Sequence, residues 1–425
     1  MMRNAFFGWH VVGAAFVIAV FAWGIGFYGP PIFLKTLHAT RGWPVSLVSA
    51  AITAHFLLGA VVVANLAALH RRFGLARVTQ AGAVLTALGL LGWAFASQPW
   101  QLFLATPFSA TGWALTSGAA LNAMVSPWFH RRRPAALGMA FNGASLGGVV
   151  FSPLWVALIA ALGFGGAALL VAAIVTVAVW LLAARYLRQT PALLGLAPDG
   201  EAAPSPSNPA RPAAAAAAAH PLASPWRDRR FLTLAGAATL GLFAQIGLVA
   251  HLFSLLAPRL GEAGAGLTMG AATACAIAGR SIVARLMPPG TDRRSVAAAN
   301  VGLQAAGSLV LLFAGPSVPM LLLGCGLFGL GLGNVTSLPP LIAQAEFRPA
   351  DVGRVVALVT AISQAGYAFA PAAFGLLREP FLATLMPGPG PAPLVFLAAF
   401  VTQVAAACVV LAGRRVRGRV LVAPG

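Results

Sequence analysis

Along most of this chain, apolar residues come in runs of about the length that crosses a bilayer, roughly 20 residues, separated by short polar or basic breaks. Twelve such runs can be drawn, over 9–34, 44–69, 76–96, 99–128, 135–161, 164–187, 230–258, 266–287, 295–315, 317–345, 352–378 and 392–413. Each is expected to be a helix, because a segment inside hydrocarbon must satisfy its own backbone hydrogen bonds. The pattern lapses over roughly 188–229, where "DGEAAPSPSNPARPAAAAAAAHPLASP" is rich in Pro, Ser and Ala and is not amphipathic. That stretch reads as a linker. The expected organisation is an all-α membrane protein of twelve transmembrane helices, with a six-helix half over 1–188, a cytoplasmic linker over 189–229 and a second six-helix half over 230–425.

Composition strengthens this picture. Of 425 residues, 59% are hydrophobic and 8% charged, with a mean hydropathy of +0.87; a soluble domain carries about 25% charged residues. The N-terminal "MMRNAFFGWHVVGAAFVIAVF" has the outline of a signal peptide. It lacks an A-x-A-like cleavage site and many apolar runs follow, so it is expected to be the first membrane helix. Cys275, Cys325 and Cys408 all lie in apolar runs without metal-like spacing, and read as small packing residues.

Charge sets an orientation. With both termini in the cytoplasm, the N-terminus, the even-numbered loops and the C-terminus carry 22 of the 27 Lys and Arg residues. The odd-numbered loops and their flanks carry four, Lys35, Arg41, Arg259 and Arg378. The positive-inside rule favours this topology, in the cytoplasmic membrane. It also accounts for the net charge of +19: clusters such as "HRRFGLAR" (70–77), "HRRRP" (130–134) and "RRVRGR" (414–419) border membrane helices and face anionic lipid rather than nucleic acid.

Two features narrow the chemistry by exclusion. "GCGLFG" (324–329) matches the dinucleotide fingerprint in letters, but it lies inside an apolar run with no preceding strand and no acid about 20 positions on; its small residues suit close helix packing. The eight acids, Asp199, Glu201, Asp228, Glu262, Asp292, Glu346, Asp351 and Glu379, fall in loops, the linker or helix ends. No carboxylate is mid-span, no catalytic constellation is visible, and neither a metal nor a cofactor is expected.

One permanent charge does lie inside a run: Arg280, in "CAIAGRSIVARL". It has two readings. Helix 8 is expected to end near Leu286, about 10 Å beyond Arg280 at 1.5 Å per residue, so the side chain could snorkel to the interface. Alternatively it faces a central cavity and binds an anion, since an ionisable residue inside the membrane is a functional candidate. A substrate carboxylate would match the guanidinium through two parallel hydrogen bonds. Other candidates for the cavity are His251, Tyr28, Asn122, Asn142, Asn334, Ser363, Gln364 and Tyr367, each also able to serve as an interhelical hydrogen-bonding group. His251 and His55 are the candidates for proton coupling.

Two six-run halves joined by a linker resemble the major facilitator superfamily. "GWHVVGAAFVIAVFAWGIGFYGPPIFLKTL" (8–37), "WFHRRRPAALGMAFNGASLGG" (128–148) and "AGRSIVARLMPPGTDRR" (278–294) resemble the first helix, the loop between helices 4 and 5, and helix 8 of its monocarboxylate transporter and oxalate/formate antiporter branch. The resemblance implies a major facilitator fold and assigns Arg280 to the substrate carboxylate. There are departures. Arg71 stands where the loop between helices 2 and 3 usually has an acid, the loop after helix 8 keeps Asp292 but is stretched by "MPPG", Ala276 replaces the acid one turn before the helix-8 arginine, and "ALVTAISQAGYAFAP" (357–371) has no counterpart of the oxalate carriers' helix-11 lysine. The last two point away from oxalate and from carboxylate-mediated proton coupling.

The expected function is secondary transport of a small organic anion, a monocarboxylate, by alternating access, with proton symport or anion exchange. The partners are the substrate anion, protons and membrane lipids, and one chain is expected to act as a monomer. The alternative is a facilitator-type exporter of hydrophobic or cationic compounds, in which Arg280 is structural.

Overall fold

The computed structural model describes residues 6–200, 224–285, 287, 291–379 and 392–414, and no strand occurs among them. The alanine run, most of the "MPPG" stretch and most of "RRVRGR" lie outside the described residues. Helix follows the apolar runs closely. We label the legs α1 (Phe7–Gly26 and Gly29–Arg41), α2 (Val45–Phe73), α3 (Leu75–Phe95) and α4 (Pro99–Thr116 and Gly118–Val125). Arg133–Tyr186 supplies α5 and α6, and Arg229–Arg285 supplies α7 and α8. The remainder are α9 (Arg293–Phe313), α10 (Val318–Leu332 and Asn334–Glu346), α11 (Pro349–Tyr367 and Ala370–Leu376) and α12 (Ala392–Ala412).

Nine stretches among the described residues are long and apolar enough to cross a membrane. Two of them are about twice too long, at 52 and 55 residues. Each is broken at one glycine, Gly163 and Gly261, both with φ 69° and ψ 168°. A positive φ is open to glycine and strained for other residues, so the helical hydrogen-bond ladder stops there. The pairings show a reversal at Gly163. Gly143 and Gly147 pack on the backbone of Phe16 and Val20, and Trp155 donates to the Gly24 carbonyl at 3.0 Å, so α5 runs parallel to α1. Beyond the break, Gly165 meets Phe95 and Trp180 accepts from Gln80, so α6 runs antiparallel to α3. The expected gap at 259–265 is not a loop: helix resumes directly after Gly261. Its two glycines and its charges give it a loop's composition, yet one glycine suffices for the turn.

Small residues make the close approaches between α1 and α5, as suits packing in lipid, where van der Waals contact replaces hydrophobic driving force. One end of the C-terminal helices is stitched by a different device. Arg294 is 1% exposed. It donates Nε and Nη2 to the two oxygens of Glu346 at 2.7 and 2.8 Å, and further to Thr233 Oγ1, the Val410 carbonyl and the Arg230 carbonyl. One guanidinium thereby ties together the ends of α7, α9, α10 and α12. Asp292 caps α9 through the amides of Arg294 and Ser295 and pairs with Arg414.

Candidate functional site

The two groups of six helices meet along two seams. In the first, α5 and α8 run antiparallel: Ser152 lies against Gly266, Val149 against Gly270, Gly148 against Thr273, and Asn142 against Arg280. In the second, α2 and α11 run antiparallel: Ser49 lies against Gly375, Thr53 Oγ1 accepts from the Ala372 amide at 3.0 Å, and the Phe56 and Tyr367 rings meet edge to face. Lys35 and Glu262 add a cross-seam ion pair. Apart from the Arg280–Asn142 bond, these contacts lie toward the end that holds Gly163 and Gly261. Toward the other end, the α5 face that packs on α8 comes into the open: Met139, Asn142 and Leu146, one to two helical turns apart, are exposed. The helices therefore diverge into a cavity that widens toward the end where the termini and the linker emerge.

Arg280 is at the apex of that cavity, half-buried. Its Nε donates to the Gly333 carbonyl at 3.1 Å and its Nη1 to Asn142 Oδ1 at 3.2 Å. Gly333 is where α10 breaks, and a Cβ there would strike the guanidinium. The break is braced from behind: Asn334 donates to Asn300 Oδ1 at 2.9 Å, and Asn300 donates to the Gly331 carbonyl at 3.1 Å. Tyr28, at the joint between the two pieces of α1, is buried, and its ring and the Thr273 side chain converge on Gly148 of α5. Among the described residues no carboxylate pairs with Arg280, and its Nη2 makes no hydrogen bond.

The candidates separate accordingly. Arg280 and Asn142 come together from α8 and α5, and Tyr28 of α1 lies further toward the Gly261 end, where it and Thr273 meet at Gly148. Asn334 supports the Gly333 joint instead of opening onto the cavity, being 2% exposed. Asn122 is exposed and accepts from Ser126 at 2.7 Å. Tyr367 belongs to the α2–α11 seam, Ser363 is buried with an unpartnered hydroxyl, and Gln364 is half-buried. His55 lies within the first six helices, with Nδ1 2.9 Å from Ser109 Oγ. It lines a cleft of about 410 Å³ with Trp93, Thr86 and Trp113.

His251, a candidate for proton coupling, does not adjoin Arg280. It is fully buried, with Nε2 3.0 Å from the Pro371 carbonyl and Nδ1 3.3 Å from Arg378 Nη1. The carbonyl accepts, so Nε2 carries the proton and Nδ1 takes the guanidinium hydrogen. The reason is helical rotation: this face of α7 packs on α11, not on α8. Thr273, Gly333 and Arg378 were not anticipated as site residues. Only Arg378 had a signal, a charge at the edge of an apolar run.

The sequence profile of the Major Facilitator Superfamily matches residues 11–371. Among curated relatives, monocarboxylate transporter 13 of Bos taurus is 40% identical over 108 residues, 25% of this chain and 25% of that one. Monocarboxylate transporter 11 of Mus musculus is 33% identical over 175 residues, 39% of this chain and 37% of its own length. The matched stretches thus span well under half of these relatives. Among solved structures, the nucleoside transporter NupG superposes with a TM-score of 0.69 at 12% identity, over 95% of this chain and 100% of that one. A bacterial homolog of the human lysosomal transporter Spinster, in an inward-facing and occupied conformation, gives 0.66 at 14% identity, over 97% and 96%.

Proposed function

The chain belongs to the Major Facilitator Superfamily and is a multi-pass membrane transporter; on that premise we propose that it carries a small organic anion, a monocarboxylate, by alternating access. The observation that carries this reading is Arg280: a guanidinium at the apex of a cavity between the two six-helix groups, with no carboxylate paired to it among the described residues. A fixed charge held from water without a counter-charge is costly, and a substrate carboxylate removes that cost. The carboxylate takes Nη2 and competes with Asn142 for Nη1, which gives the two-point geometry. Tyr28 and Thr273 flank the anion. The local matches to monocarboxylate transporters support the same substrate class.

With the termini in the cytoplasm, as the distribution of Lys and Arg favours, the open end of the cavity faces the cytoplasm of the cell and the two seams form the closed outer gate. The site is then exposed to each side in turn as the six-helix groups rock about it. The energy comes from a co-moving proton or an exchanged anion. The test is saturable uptake of labelled acetate, butyrate, L-lactate and pyruvate into proteoliposomes. Saturable uptake of at least one, lost in Arg280→Gln at equal reconstitution, is the expected result. Uptake of none, or uptake indifferent to Arg280→Gln, overturns the assignment.

A further inference from the structure

Arg294, Arg280 and Arg378 are each wholly or partly withdrawn from solvent, and their surroundings differ. Arg294 has a bidentate carboxylate and three further acceptors, which is how a structural arginine is made tolerable. Arg280 has no carboxylate, and its role is proposed above. Arg378 resembles Arg280. It follows the second piece of α11 and is half-buried. Its Nη1 donates to Ser254 Oγ at 2.5 Å and to His251 Nδ1 at 3.3 Å. Its Nε is buried with no partner, and among the described residues no acid pairs with it.

The position of this guanidinium is specific. His251 precedes Gly261 by ten residues, about 15 Å along α7 at 1.5 Å per residue. Arg280 follows Gly261 by 19 residues, about 28 Å along α8 on the same scale. The Arg378 head group therefore lies between Arg280 and the closed end. The α2–α11 seam is within a turn of it: Gly375 abuts Ser49 and comes close to the His251 ring, and Ala372 is held by Thr53. Ser254, His251 and Arg378 all belong to the C-terminal six helices. When the seam parts, α2 withdraws Ser49 and Thr53, and the trio stays together.

We infer that Arg378, Ser254 and His251 form a second anion-binding station, which receives a small carboxylate on the outer side of the gate before it reaches Arg280. This rests on the carboxylate reading of Arg280. The carboxylate accepts from the vacant Nε–H, and Ser254 with His251 holds the other edge of the guanidinium in place. The cluster is built for an anion: a positive fork, a hydroxyl and a neutral ring, with no competing acid.

Half-saturation measured separately from the two faces tests this, in vesicles of defined orientation with L-lactate, pyruvate, acetate and butyrate as probes. Arg378→Gln is expected to raise half-saturation from the outer face by about tenfold or more and to leave that from the inner face within about twofold. Arg378→Lys, which keeps the charge but loses the fork, falls between. Arg280→Gln impairs transport from both faces. If Arg378 merely latches the gate shut, its loss favours the outward-open state and outer half-saturation falls; that result, or no change, overturns the outer station alone. If Arg378→Gln fails to insert, Ser254→Ala decides by the same outer-face criterion. A wild-type protein that transports none of the probes overturns the carboxylate reading and the station with it.

Discussion

Arg280 of α8 and Asn142 of α5 are hydrogen-bonded across the seam between the two six-helix groups, Nη1 to Oδ1 at 3.2 Å. Asn142 is exposed on the cavity side, so the bond is open to competition. In the proposed cycle an arriving carboxylate takes the hydrogen that Asn142 now accepts, and substrate binding loosens a contact between the moving parts. Charge recognition and gate movement thus meet at one guanidinium edge.

Arg280→Lys is expected to lower uptake by about tenfold or more, since lysine keeps the charge but cannot make the planar two-point contact. Membrane insertion should be unaffected. Uptake normalised to reconstituted protein measures it, and near-normal rates would indicate a snorkelling or simple point-charge role.

Asn142→Asp gives Arg280 a fixed carboxylate of nearly the same size at hydrogen-bond distance. That internal anion should occupy the site and suppress uptake at neutral pH, while Asn142→Ala retains transport. Comparing the two rates separates occupation of Arg280 from loss of a cross-seam bond. Equal rates would argue against competition at Nη1.

The proton-coupling candidate His251 lies beside Arg378 and not Arg280. His251 Nδ1 accepts from Arg378 in the closed gate, so it has no vacancy for a proton. A carboxylate on the Arg378 Nε–H offsets the positive charge that a protonated ring would meet, which favours a proton on Nδ1 over the hydrogen bond from Nη1. His251→Gln is therefore expected to abolish substrate-driven proton movement while anion exchange persists. A pH-sensitive dye trapped in proteoliposomes reads the first, and isotope exchange the second. Unchanged proton movement in this variant would remove the histidine from the mechanism.

The start of the linker is held down. Asp199 accepts from the amides of His130, Arg131 and Arg132 at 3.0, 2.7 and 3.2 Å, in the loop between α4 and α5. Slight burial acts to raise its pKa, but these amide donors outweigh it and hold the carboxyl below its usual value. A depressed carboxyl contributes fully above its unfolded pKa and loses that contribution as pH falls through the folded one. Asp199→Ala should speed amide exchange at 130–132 at neutral pH, and the difference from wild type should vanish in strong acid. Replacing 201–223 by a Gly/Ser segment of equal length should leave uptake within about twofold, since such a tether need only span the helices it joins.

Glu346→Gln leaves the Arg294 charge buried without compensation. Breaking a buried pair in this way costs about 3–5 kcal/mol. Asp292 and Arg414 are each more than two-fifths exposed, and losing such a pair costs about 1 kcal/mol or less. Asp292→Asn also weakens the charge in the α9 cap, so its expected loss is small rather than zero. Thermal unfolding in detergent should therefore fall far more for Glu346→Gln than for Asp292→Asn.

Much of the helical framework was legible because lipid imposes a length and a polarity on each span. The break at Gly163 falls between the runs drawn at 135–161 and 164–187. The stretch around Gly261 misled because "PRLGEAGAG" (258–266) has a loop's composition, whereas helix resumes at Glu262, which pairs with Lys35. Arg280 was legible as a charge among apolar neighbours. What the pattern could not supply was rotation about the helix axis. In an all-apolar helix no polar face reveals which side meets which neighbour. His251 could therefore be placed on α7 but not turned toward α11, and Asn334 could not be distinguished from a cavity residue. Thr273 was hidden for the same reason: it gains meaning only when Gly148 lets Tyr28 approach it.

The uncompensated guanidinium of Arg280 also has an electrical consequence. A unit charge carried fully across a membrane exchanges about 2.3 kcal/mol with each 100 mV of potential. In the proposed cycle the loaded cavity holds a carboxylate against Arg280 and is close to neutral at its centre, whereas the empty cavity keeps its charge. Membrane voltage therefore acts little on anion exchange, in which the carrier returns loaded, whereas a co-moving proton restores the unit charge to the loaded crossing and makes it as voltage-sensitive as the empty return.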